Sequence, residues 1–107
     1  MIEKTKPAVR ITDQYRDRDS MAYELLCEGT RIVLRFNEDA SGDGPRWRAE
    51  ARVNDKNDDT VIEATGATRA EALQKIGESW DATLRSRPIP VFDWAHVADA
   101  LRAVKAL

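Results

Sequence analysis

Two periodicities divide the chain. From Met21, apolar side chains recur at every second residue: Tyr23, Leu25 and Cys27 alternate with Ala22, Glu24 and Leu26. After the two-residue turn Glu28-Gly29, Ile32, Leu34 and Phe36 alternate with Arg31, Val33 and Arg35. A period of two places alternate side chains on opposite faces of a strand, so the pair predicts a half-buried hairpin. With Cys27 opposite Thr30, Leu25 meets Ile32 and Tyr23 meets Leu34; one face is then apolar and the other carries Glu24 between Arg31 and Arg35. Trp47, Ala49, Ala51 and Val53 repeat the pattern against Arg48, Glu50 and Arg52, and a shorter run from Thr60 to Thr65 supplies a fourth strand. Acidic loops separate these runs. Before Met21 no such pattern is visible, and only Ala8 to Thr12 could extend, so residues 1–20 read as an N-terminal arm, mobile or at most an edge strand.

A period near 3.6 then takes over. Thr68-Arg69-Ala70-Glu71 has the form of a capping box, in which the Thr68 hydroxyl accepts from the Glu71 amide and the Glu71 carboxylate returns to the amide of Thr68. Leu73, Ile76, Gly77, Trp80 and Leu84 follow at helical spacing until Pro88 and Pro90 stop the helix. Asp93 caps a second helix whose stripe is Val97, Leu101 and Val104, with alanines at 95, 98, 100, 103 and 106. The expected fold is α+β: an antiparallel three- or four-stranded meander packed on one face by a C-terminal helix, followed by a second C-terminal helix, all within residues 21–107. Trp47 and Trp80 are its largest expected core members.

A meander whose last strand runs into Thr65-Gly66-Ala67-Thr68-Arg69-Ala70-Glu71-Ala72-Leu73 resembles the HicB-like and double-stranded-RNA-binding-like β-β-β-α folds, over roughly Leu25 to Leu84. The resemblance implies the same layering and a toxin or RNA partner. No functional residue carries over. NDKNDD stands where HicB antitoxins have an apolar, proline-containing loop, and Arg69 is the one cation near Thr68, where the RNA-binding fold has a lysine cluster.

Composition narrows the function. At 107 residues the chain has room for one domain, and 17 Lys plus Arg against 19 Asp plus Glu leave a formal net charge of −2, so no global field draws it to nucleic acid or to anionic lipid. The N-terminus, MIEKTKPAVR, carries charges where a signal peptide needs an apolar core, and no apolar run is long enough to span a bilayer; the expected location is cytoplasmic, off the membrane. One cysteine and one histidine exclude an internal disulfide and a Cys/His zinc site.

Four constellations remain. Asp39, Ser41, Asp43, Gly44 and Glu50 match a calcium-loop spacing, but strands flank the run and Arg46 occupies the apolar eighth position, so a solvated hairpin loop and no metal is the expectation. Arg31, Arg35, Arg48 and Arg52 share one sheet face and could hold phosphates, although Glu24 and Glu50 stand among them and no outward aromatic offers a base a stacking surface. His96 lies between Asp93 and Asp99 with no accompanying nucleophile, and no glycine-rich phosphate loop is present; neither an enzyme nor a cofactor is expected. Finally, Ile89, Phe92, Trp94, Val97, Leu101 and Val104 form an apolar set that either docks on its own domain or meets a partner, and a second copy is the favoured occupant. The sequence thus reads as a small non-enzymatic binding module of regulatory or adaptor type, homo-oligomeric or bound to a protein partner. Nucleic-acid or phosphate binding through the four arginines is the alternative.

Overall fold

The computed structural model describes residues 9–27, 29–39, 46–55, 58–86, 89 and 92–107. Five strands, β1 (Val9–Asp17), β2 (Ser20–Cys27), β3 (Thr30–Asp39), β4 (Arg46–Asp55) and β5 (Asp58–Gly66), form one antiparallel meander in the order β1-β2-β3-β4-β5. Two helices, α1 (Arg69–Leu84) and α2 (Trp94–Ala103), follow and pack against it. The α+β architecture is the expected one, with one more strand than the alternation predicts.

The additional strand is β1, and its sequence hides it for a physical reason. Val9 and Ile11 pair with Cys27 and Leu25 on the inner face, but the register shifts between Ile11 and Asp13. The bulge at Thr12 flips the face on which every later residue lies, so Gln14 and Arg16 stand opposite Tyr23 and Met21 yet stay exposed at the sheet edge, and Tyr15 falls on the open face, an outward aromatic where none is expected. Thr12 Oγ1 donates to the Glu24 carbonyl at 3.2 Å, tying the bulge to β2. The β2–β3 hairpin has the expected register, Cys27 opposite Thr30, Leu25 opposite Ile32 and Tyr23 opposite Leu34, with Gly29 at φ +82°, a conformation that glycine adopts without a Cβ clash.

A five-stranded sheet is about 19 Å across between its outer strands, whereas a helix with side chains is about 10 Å wide. One helix cannot cover it. α1 lies over β5 and β4, and α2 packs against β1 and α1. The core between the layers includes Leu25, Ile32, Leu34, Phe36, Ala51, Val53, Ile76, Trp80, Val97 and Leu101. Trp80 is fully buried and sits in an aromatic triangle with Phe92 at 5.4 Å and Trp94 at 5.8 Å between ring centroids, whereas Trp47 is only partly buried. Of the two largest expected core members, Trp47 thus packs against the core only in part. Its partner at the end of β4 is Gly66, which covers no ring, and the Arg69 guanidinium stacks over the indole at 5.0 Å instead.

Thr68 caps α1, its hydroxyl accepting from the Glu71 amide at 3.1 Å. The return bond differs by one residue from the expected box: the Glu71 carboxylate accepts from Ala67 rather than Thr68, at 3.3 Å. Gly66 explains the compact turn, because a Cβ there would stand 2.7 Å from the Ala72 nitrogen and 2.9 Å from Glu71 Cβ. α2 ends in a Schellman motif, with Ala106 N–H donating to the Leu101 carbonyl at 2.8 Å and Lys105 N–H to that of Arg102 at 3.0 Å. Pro88 and Pro90 lie outside the described residues.

Candidate functional site

The helix layer leaves the other sheet face open, and alternation places Arg31, Arg35, Arg48 and Arg52 on it. Each of the four meets a carboxylate: Arg31–Glu24 at 3.8 Å, Arg35–Asp17 at 3.6 Å, Arg48–Glu63 at 3.2 Å, and Arg52 with Asp59 at 3.9 Å and Glu50 at 4.0 Å. Three of the five acidic partners come from β1 and β5, beyond the strands whose charges the sequence pattern set beside the arginines. The face is therefore a lattice of opposite charges rather than a cationic patch. A depression of about 480 Å³ at its β1–β2 end has the same mixed character, bounded by Asp17, Arg18, Asp19, Arg35, Arg48 and Glu63.

The six apolar residues of the C-terminal segment divide. Ile89 and Phe92 are buried, and Val97 and Leu101 are 0% exposed within this one chain; only Trp94, partly buried, and Val104, 43% exposed, reach the surface. Of the two expected placements, docking on the chain's own domain is the one found for Ile89, Phe92, Val97 and Leu101, because α1 leaves the β1 side uncovered and α2 fills it. The stripe Val97–Leu101 thus faces inward.

What α2 does present outward is a groove against α1. It encloses about 640 Å³. On the α1 side it runs along Ala70, Gln74, Gly77 and Asp81, and on the α2 side along Ala95, Ala98 and Arg102, with Trp94 at the base. These positions recur at three and four residues, so each helix offers one straight stripe. Gly77 lets the indole approach: a Cβ there would lie 3.1 Å from Trp94 Cγ. Trp94 Nε1 is buried without a hydrogen-bond partner among the described residues. The lining also carries Glu71, Glu78, Asp81 and Asp99 against Arg102, its one cation among the described residues, so an apolar floor has an acidic rim. Glu71 and Asp99 meet Lys75 and Arg102 at 3.5 and 3.3 Å. Of this groove only Trp94 is legible in the sequence as a site residue; the missed signal is the stripe Ala70-Gln74-Gly77-Asp81, which lies beside the buried face of α1.

Asp93 explains His96. One carboxylate oxygen caps α2, accepting from the Ala95 and His96 amides at 3.1 and 3.4 Å, and the other lies 3.0 Å from His96 Nδ1, close but without hydrogen-bonding geometry. That is the arrangement of a helix start. Glu50 of the calcium-like spacing sits within β4, beside Arg52, while Ser41, Asp43 and Gly44 lie outside the described residues. No cluster of three metal-ligating side chains occurs among the described residues, and none of their helices is long and apolar enough to cross a membrane. The chain matches no protein-family model, no curated protein and no solved structure.

Proposed function

We propose that this chain is a small non-catalytic binding module of regulatory or adaptor type, whose partner is a protein segment seated in the α1–α2 groove. The observation that carries the reading is the acidic rim of Glu78, Asp81 and Asp99 around an apolar floor at Trp94. Two helical stripes with small residues at Ala70, Gly77, Ala95 and Ala98 line the groove, and small side chains let a third helix approach at ordinary packing distance. From Ala70 to Asp81 the groove runs for about 16 Å along α1, or about three helical turns. The fitting occupant is an amphipathic helix of that length with Leu-type side chains on one face and Lys or Arg flanking them, since burying a rim carboxylate against an apolar or acidic partner is unfavourable.

A three-turn Leu/Lys helix labelled for fluorescence anisotropy tests this. Saturable one-to-one binding is expected, weakened about tenfold or more by Ala95→Arg or by Glu78→Lys with Asp81→Lys, at unchanged melting temperature. Binding indifferent to these changes sinks the reading. Nucleic-acid or phosphate binding is the second reading and is disfavoured by the carboxylate beside each of Arg31, Arg35, Arg48 and Arg52. It requires duplex affinity that falls steeply with salt and is lost in Arg48→Ala with Arg52→Ala.

A further inference from the structure

An open meander has two edges, and they are not equivalent here. β1 is guarded: its register is broken at Thr12, Arg10, Asp13, Arg16 and Asp17 crowd it, and α2 packs along it. β5 is less so: it pairs with β4 in unbroken register from Gly66 to Asp58, no strand pairs with its other side among the described residues, and its charges, Asp58, Asp59 and Glu63, are all acidic, with neither Lys, Arg nor Pro. Its outward Val61 is 42% exposed, one of two large apolar side chains so exposed among the described residues. Unpaired backbone groups along such an edge are a template for another strand.

We propose that the β5 edge is a self-association surface, on which the β5 strand of a second copy pairs antiparallel about a two-fold axis at Ile62. The position of the axis follows from faces and charges. Opposed residues of an antiparallel pair point to the same side, so a two-fold axis in the strand must pass at a residue. At Val61 it would set Asp59 against Glu63 of the second copy, and at Glu63 it would set that glutamate against itself. At Ile62 it sets Asp59 against Thr65, Thr60 against Ala64 and Val61 against Glu63, with no like charges opposed and nearly the whole strand in use.

The helix layer fits the same axis. α1 lies over β5 and β4, so strands spaced about 4.8 Å apart would bring the two α1 helices to about 9–10 Å, ordinary helix-packing distance. The flank of α1 turned away from Trp94 carries Lys75, Ser79 and Ala82 at helical spacing, all exposed, and two of the three are small enough for that approach. The groove occupies the opposite flank, so pairing leaves it open and doubles it.

Sedimentation equilibrium across the micromolar range tests the pairing, with circular dichroism confirming the fold of each variant. The wild type is expected to be a reversible dimer. Val61→Asp opposes Glu63 twice across the axis but stands beside Arg52 within its own sheet, and should weaken the dimer about tenfold. Val61→Lys, opposite the same glutamate, should leave it as tight or tighter. A wild type monomeric throughout overturns the proposal, and so does a dimer that responds equally to both substitutions. Should the Asp variant fail to fold, a dimer weakened by Val61→Lys is sufficient to overturn it.

Discussion

Gly66 is the residue on which the strand-to-helix junction turns. Any Cβ at this position collides with backbone, not with the end of a flexible side chain, so Gly66→Ala forces the strand end or the first turn of α1 to shift. A loss of about 1–3 kcal/mol is expected from denaturant midpoints. Thr68→Ala, which orphans the Glu71 amide, should cost about 1 kcal/mol by the same measurement. The pattern Thr-x-x-Glu made the cap legible because capping depends on neighbours in sequence. The close approach of Gly66 to Ala72 was not legible, since it depends on where the sheet lies.

Among the elements, those with strict alternation or helical spacing were readable, and the exceptions share a cause. In β1 the bulge shifts the phase of the pattern midway, so Val9, Ile11 and Tyr15 never appear on one face. A four-stranded sheet without β1 leaves α2 free to meet a partner; the fifth strand gives it a place in the chain's own core. Its burial makes a definite prediction: Leu101→Glu places an unpaired charge in the core, at a cost of several kcal/mol, and should abolish cooperative thermal unfolding rather than yield a folded monomer. At the other end of α2, Lys105 holds the left-handed position of the Schellman motif at φ +60°. Glycine adopts that conformation without a Cβ clash, so Lys105→Gly should stabilise by about 1 kcal/mol, read from the chemical denaturation midpoint.

At the scale of the molecule, the charges set out two different surfaces. On the open sheet face the arginines and carboxylates neutralise each other across strands, a pairing visible in the sequence only for Glu24 and Glu50 because Asp17, Asp59 and Glu63 reach the arginines through cross-strand proximity. Along the α1–α2 groove, acids outnumber bases around an apolar floor, and neither stripe reveals this until the two helices stand side by side. On the proposed function this groove, and not the arginine face, receives the partner. Residue-resolved amide chemical shifts of the protein titrated with the three-turn Leu/Lys helix test it directly. Perturbations are expected to concentrate at Ala70, Gln74, Gly77, Glu78, Ala95 and Ala98, with the Trp94 indole resonance moving in step. Perturbations centred on Arg31, Arg35, Arg48 and Arg52, with the groove silent, would contradict it.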